Sequence, residues 1–341
     1  MFDHRPLRPV VELSTQCNSA CPQCNRYLDD DPVLGIVENP NLPQATIDLK
    51  QFVELMPSDY LQQITHLKLS GSHGEPTMAH DLLDILAYAR SLNPGLLFQI
   101  DTNASTRTPQ WWQQLAEFFP RGMSPQNYVA FNIDGLEDTN HIYRRRTVWR
   151  KIMDNSQAFI QAGGLAVWAY LVFEHNEHQV LQARRLAKNM GFTYFQVKIS
   201  SRQNVRPIKW LRGPKQWTGT AARSDNQIQC MQQRRDEFML TAQGYMLPCP
   251  YIAESAYGPS RPDGAAEEVH EVLGSFDQYH ARHGIDAVLP LFRRVSDRWN
   301  NTPLKICQTE CNGNNPSRDQ QYLKRELLRA AEWTNKSSLN H

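Results

Sequence analysis

Long hydrophobic runs are missing from this chain. Nowhere in its 341 residues do about 18 apolar residues follow one another, so no bilayer-spanning helix is expected. The opening MFDHRPLRPV lacks the apolar core of a secretory leader, and a cytoplasmic location is expected. Net charge is nearly absent too: 36 Lys and Arg against 35 Asp and Glu leave +1, a field that neither requires nor excludes nucleic acid. There is no internal repeat and no low-complexity tract. What is present is a 40% hydrophobic composition, enough to bury the core of one large domain or of a large domain with a smaller partner.

The seven cysteines are an odd number in a chain of cytosolic character, where thiols stay reduced, and this argues against a disulfide framework. Ligation or catalysis is the better reading. Cys17, Cys21 and Cys24 stand within the stretch VELSTQCNSACPQCNRYLDD, and Cys230, Cys249, Cys307 and Cys311 follow far downstream. Three thiolates from one loop hold a cube of iron and sulfide by three corners and leave the fourth iron open to an exchangeable ligand. The alternative is a zinc ion that completes its four ligands with a histidine, His4 or His66. Four downstream thiolates would saturate a second cluster, or equally a structural zinc.

Between the two groups, strands and helices alternate. Strands are expected at 10–13, 64–71, 96–100, 128–133, 165–173 and 192–199. Helices are expected at 46–56, with Thr46 as its cap, and at 79–92, 109–119, 148–162 and 177–190. Six strands with five intervening helices imply a parallel sheet with right-handed crossovers, with sites on the loops at the carboxyl ends of the strands. The rhythm stops after Ile199 in SSRQNVRPIKWLRGPKQWTGTAARSDNQIQ, a basic bridge with no acid before Asp225. Beyond it, EFMLTAQGYMLPCPY reads as a hairpin turning at Gln243-Gly244, 275–294 as a helix, and the tail from Arg318 as a further helix.

The Cys-x3-Cys-x2-Cys order after a first strand resembles the signature of the radical S-adenosylmethionine (SAM) enzymes. LKLSGSHGEPTM resembles that family's Gly-Gly-Glu-Pro element, with Gly74, Glu75 and Pro76 matching and His73 at the first glycine. IDTNAS is similar to its Thr-Asn-Gly, with Asn103 kept and Ala104 at the glycine. FNIDG resembles its Ser-x-Asp-Gly, with Asn132 at the serine and Asp134 at the acid. His141, Arg144 and Arg145 follow where relatives place a contact to the SAM carboxylate. Asn176 stands where they contact adenosine, and is also suited to cap the helix behind it. The downstream cysteines, closing on Cys307-x3-Cys311, resemble the twitch domain, a shortened SPASM domain with an auxiliary [4Fe-4S] cluster.

The resemblance implies an α/β fold: a partial (βα)6 TIM-like barrel of the radical SAM type over 1–199, a basic linker over 200–229, a small α+β auxiliary-cluster domain over 230–315 and a helical tail over 316–341. It implies a SAM-binding [4Fe-4S] cluster on Cys17, Cys21 and Cys24, an auxiliary [4Fe-4S] cluster on the other four cysteines, and SAM held by His73, Gly74, Glu75, Pro76, Asn103, Asn132, Asp134, Arg145 and Asn176. Reductive cleavage of SAM would give a 5′-deoxyadenosyl radical that abstracts hydrogen from a peptide or a small carbinol. A flavodoxin or ferredoxin would be the reductant, the auxiliary cluster would accept an electron, and no membrane is involved. Two other readings stay open. One is a nucleic-acid or nucleoside substrate, suggested by Lys198, Arg202, Arg206, Lys209, Arg212 and Lys215 interleaved with Trp210 and Trp217. The other is a non-catalytic metal-binding protein.

Overall fold

The computed structural model describes residues 4–22, 24–27, 36–199, 228–256, 265–311 and 322–327. Its strands in chain order are β1 (Val10–Val11), β2 (His66–Leu69), β3 (Leu97–Thr102), β4 (Tyr128–Asn132), β5 (Ala166–Val172), β6 (Tyr194–Ile199), β7 (Met239–Leu240), β8 (Met246–Leu247) and β9 (Tyr322–Leu327). The architecture is α/β with mostly parallel strands in an open sheet, as the alternation predicts. The chain forms two compact units, Met1–Ile100 with Gly219–Pro316, and Asp101–Thr218 with Ser317–His341. The basic bridge, except for residues 228 and 229, lies outside the described residues.

In the first unit β1 pairs in parallel with β2, and β2 with β3, in register Val10↔Lys68 and Leu69↔Ile100. The other edge of β1 takes β7, also parallel, with Val10 opposite Met239. The predicted hairpin is β7–β8, antiparallel, turning through Gly244 at φ +87°, a conformation that suits a residue without Cβ. Val10, Val11, Leu13, Leu67, Leu69, Phe98 and Ile100 are buried here. The first helix runs Leu49–Leu55 and is capped by Asp48, whose carboxylate accepts from Gln51 N at 2.7 Å while Gln51 Oε1 accepts from Asp48 N at 3.0 Å. Thr46, expected as the cap, instead meets Ser14 through their hydroxyls at 2.8 Å.

In the second unit β4, β5 and β6 are parallel and β9 runs antiparallel along β6. The expected tail helix is therefore corrected: residues 322–327 are a strand. The edge of β6 presents unpaired N–H and C=O groups, and pairing with them outweighs the local helical spacing. An aromatic core packs the sheet against helices Pro109–Ala116 and Trp149–Gln161. Phe131 sits 5.4 Å from Trp112, 5.4 Å from Phe159 and 5.6 Å from Phe192, centroid to centroid. The first of these helices starts at Thr108, whose hydroxyl accepts from Trp111 N, with Pro109 in the first turn.

The helix expected at 275–294 is also corrected. It is a chain of short turns, Phe276–Tyr279, Ala281–His283, Ile285–Val288, Leu289–Phe292 and Arg293–Ser296, broken where Gly284 takes φ +84° and where Pro290 has no N–H to give. Among the described residues no helix is long and apolar enough to cross a membrane.

Candidate cofactor sites

The first candidate site grows from β1. Beyond Leu13 the chain is tied to residues 45–46 by Thr15 N to Ala45 O at 2.9 Å. It then coils through the cysteines: Cys24 N donates to Cys21 O at 3.2 Å, Tyr27 N to Cys24 O at 2.8 Å and Tyr27 OH to Ser19 O at 2.8 Å. Ser19 N approaches Cys17 Sγ at 3.4 Å and Ser19 Oγ meets Cys21 Sγ at 3.0 Å. Arg26 turns inward to Thr15 O. Burial, then the charges of Glu75, Cys24 and Cys21, push the Cys17 thiol up to about 12, so the three thiols and Glu75 act on one another. In the metal-free chain Cys17 holds its proton, and a bound cation would release it.

The loop after β2 is pressed against this coil. A Cβ on Gly74 would lie 1.7 Å from Ser14 O, so only glycine allows the approach, and Glu75 N then reaches Gln16 O at 2.8 Å. The His73 and Gly74 N–H groups, at 2.7 and 3.2 Å, both donate to Glu12 Oε1. An ammonium needs acceptors, so carbonyls of this segment, not its bound amides, have the polarity to take one. The Glu75 carboxylate accepts from Thr77 Oγ1 at 2.8 Å and caps the turn Pro76–Met78. His73 is buried and is not among the residues with positive φ, so a side chain is housed where the resembled Gly-Gly-Glu-Pro element has glycine.

Sequence reasoning missed Glu12, although an acid inside the apolar run VVEL on the way to the cysteines was the available signal. It is 1% exposed, and burial drives its carboxyl up to about 7 against the pull of the amides. Burial and the nearby Arg26 take His73 down to about 4. Its Nδ1, 3.9 Å from Glu12 Oε1, thus faces the carboxyl as a neutral ring at neutral pH.

The second candidate site, also in the first unit, gathers the downstream cysteines. Cys230 precedes helix Met231–Arg235, Cys249 follows β8, and Cys307 and Cys311 lie one turn apart on helix Lys305–Cys311. Their i,i+4 spacing puts both on one helical face. All four line one cavity, with Ile252, Val295 and Trp299 among its other walls. A hydrogen bond with Cys230 is the first cause that raises Cys311, and burial raises Cys249 and takes Cys307 up to about 12. Four thiols around one otherwise apolar cavity are a donor set that fits a thiolate-held metal centre. Among the described residues no group of three or more His, Cys, Asp or Glu is arranged to hold a single metal ion. Asn25 Nδ2, one residue past Cys24, donates to Glu254 Oε2 at 2.6 Å, linking the triplet loop to helix Pro250–Ala256 behind Cys249.

The other named residues belong to the second unit. Asp134, fully buried past β4, accepts Arg144 Nε on Oδ2 at 2.6 Å and Leu171 N on Oδ1 at 2.7 Å. Arg144, not Arg145, is its ion partner, and Arg145 is half-buried beside it in sequence. Asn176 gives both amide hydrogens to backbone, to Asp134 O at 2.8 Å and Leu171 O at 2.9 Å, and its Oδ1 accepts from Phe173 N at 2.7 Å. It makes no side-chain cap. Asn176 therefore staples the ends of β4 and β5. Asn132 is half-buried at the end of β4, opposite Ala169. Asn103 folds its Oδ1 onto Ser105 N at 2.9 Å, and Ala104, at the family's glycine, takes φ +60°.

No family model matches this chain, and no curated protein does. Solved structures do. Streptococcus suis SuiB bound to S-adenosylmethionine superposes with TM-score 0.54 at 14% identity, covering 88% of this chain and 66% of that one. SuiB bound to the precursor peptide SuiA gives 0.53 at 12%, covering 88% and 65%. This chain thus spans just under two thirds of the SuiB length. anSMEcpe with bound AdoMet and Cp18Cys peptide gives 0.50 at 14%, covering 93% of this chain and 95% of that one. Identity this low carries architecture alone, and the architecture is that of the radical SAM enzymes: the chain has their open, mostly parallel α/β fold.

Proposed function

We propose that this protein is a radical SAM enzyme, with a [4Fe-4S] cluster on Cys17, Cys21 and Cys24 and an auxiliary [4Fe-4S] cluster, in a twitch-like arrangement, on Cys230, Cys249, Cys307 and Cys311. The observation that carries the reading is the coil of three thiols against the Gly74–Glu75 segment, in a fold shared with SAM-bound proteins. When bound, the first cluster and SAM supply a one-electron cleavage that yields methionine and a 5′-deoxyadenosyl radical, with a flavodoxin- or ferredoxin-class reductant as the electron source.

This chain's own residues supply placement. Glu12 fixes the His73–Gly74 backbone by taking its N–H groups, which turns carbonyls of the segment toward an ammonium. Glu75 adds negative charge beside the thiols. Asp134, through Arg144 and Leu171, and Asn176, through the strand ends, hold rigid the end of β4 and the loop after it, which carry the proposed SAM contacts Asn132 and Arg145, while Asn103 stands on the loop after β3. For Asp134 and Asn176 the role is positioning, since their polar atoms are spent on the fold. The substrate class we favour is a peptide, because SuiB and anSMEcpe have each been solved with one. The product is then an oxidised or otherwise modified peptide.

Anaerobic reconstitution tests this directly. About eight irons per chain and dithionite-dependent 5′-deoxyadenosine are expected. A colourless protein with stoichiometric zinc would overturn the proposal.

A further inference from the structure

One polar atom in the four-cysteine cavity has no match. Trp299 lines that cavity, and its indole Nε1 is buried without a well-formed hydrogen bond. Buried N–H groups in native folds are nearly always paired, and an indole donates only, so an unmatched Nε1 marks a place where an acceptor belongs. The walls offer few acceptors: apart from the four thiols and Tyr251, the lining is aliphatic or proline. A neutral thiol accepts weakly, whereas a sulfur that carries negative charge accepts strongly. Cys307, which shares this cavity with Trp299, is the thiol whose sulfur the Trp299 side chain approaches.

We propose that Trp299 Nε1–H donates a hydrogen bond to the Cys307 sulfur of an iron–sulfur cluster held by Cys230, Cys249, Cys307 and Cys311, and by doing so raises the reduction potential of that cluster. This rests on the auxiliary-cluster reading given above. The physical basis is charge. Reduction adds one electron to the cluster and its sulfurs, and an N–H dipole aimed at a sulfur stabilises the more negative form the more, which makes reduction easier. Trp299 is then a positioning and tuning residue that suits this centre to accept electrons.

The test uses the full chain carrying Cys17→Ala, Cys21→Ala and Cys24→Ala, so that a single cluster reports, with and without Trp299→Phe. Phenylalanine keeps an aromatic wall and deletes the N–H. Potentiometric titration followed by electron paramagnetic resonance is expected to show a shift to lower potential in the Phe variant at unchanged iron and sulfide content. A loosened cavity that admits water would shift the potential upward, so the sign separates a lost hydrogen bond from lost packing. An unchanged or higher potential overturns the proposal.

Where the Phe variant loads poorly, the parent protein labelled with 15N-indole decides. Hyperfine spectra of its reduced cluster should show one 15N coupling and one exchangeable proton, and their absence overturns the proposal. A parent that binds no iron fails earlier, before any potential is read, and sinks the cluster reading together with this one.

Discussion

The two compact units carry different kinds of residue. The first holds all seven cysteines, and the strands that lead to them are built on Val10, Val11, Leu67, Leu69 and Ile100. The second holds no cysteine, and its sheet packs on Trp112, Phe131, Phe159, Trp168 and Phe192. Its polar residues are engaged with one another and with backbone, in the Asp134–Arg144 pair and the Asn176 staple. A thiol cradle must bring sulfurs together and still let a large inorganic group in. A scaffold that only holds loop ends in place is served by wide aromatic contacts and saturated hydrogen bonds. On the function proposed above, the division places the metal chemistry in one unit and the aromatic scaffold in the other.

The largest expected effect breaks the first unit only. Replacing Cys17, Cys21 and Cys24 together by alanine should abolish 5′-deoxyadenosine formation and leave about four irons on the downstream cysteines. Iron analysis and chromatographic detection of 5′-deoxyadenosine after dithionite reduction check both parts. SAM cleavage that survives would remove the coil from the chemistry, and a loss of all iron would show that the two cysteine groups are not independent.

Next in size is a substitution in the second unit. Trp112→Ala deletes a fully buried ring of the aromatic cluster and should cost about 3–5 kcal/mol in denaturant unfolding, with iron loading at low denaturant unchanged. Iron lost in proportion to that destabilisation would mean that the metal sites depend on the aromatic unit, and the comparison would fail.

Much of this was legible in the sequence, for particular reasons. The six core strands appear because each is a short apolar run set off by a helix of different period, and that contrast survives without tertiary context. The cysteines appear because their spacing is itself the chemistry. The tail strand did not appear, because β9 is dictated by the open edge of β6 and the segment's own spacing is helical. The helix expected at 275–294 gave too little weight to Gly284 and Pro290. The role of Glu12 was invisible because it depends on atoms far off in sequence, the amides of residues 73 and 74.

Glu12 gives a smaller effect that depends on pH. Its carboxyl rises to about 7 in the folded chain against an unfolded value of about 4.3. Between those values the folded state binds the extra proton, so the stability Glu12 contributes is complete below about pH 4.3 and is lost as pH climbs through 7. His73, lowered to about 4, works in the opposite sense, losing stability as pH falls from its unfolded value of about 6.5. Comparing wild type with Glu12→Gln cancels the His73 part. The amide side chain of that variant keeps an oxygen to accept from His73 and Gly74 and cannot ionise, so the variant should gain on wild type by roughly 2–3 kcal/mol between pH 4.5 and pH 8. Denaturant midpoints at the two pH values measure it, and a constant difference would show that Glu12 is ionised throughout.

The smallest effect belongs to Ala104, which stands where the resembled Thr-Asn-Gly motif has glycine. Its φ of +60° is left-handed, which costs a residue with a Cβ about 1–2 kcal/mol. The turn is held regardless: Asn155 Nδ2 donates to Ala104 O at 2.8 Å and to Thr106 O at 2.9 Å, and Ser105 Oγ accepts from Val148 N at 2.8 Å. Ala104→Gly would relieve the strain, but it would also forfeit a buried methyl, about 0.8 kcal/mol, and add about 0.4–1 kcal/mol of unfolded-chain entropy. The three contributions nearly cancel, so the variant should unfold within about 1 kcal/mol of wild type. Ala104→Val adds β-branching in the same conformation and a volume the fully buried site lacks, and should cost about 2 kcal/mol or more. A large gain from glycine would mean that the strain exceeds what Asn155 restrains and that the second unit stores energy at this loop; a neutral glycine together with a costly valine would identify Ala104 as a tolerated stand-in on a rigid scaffold.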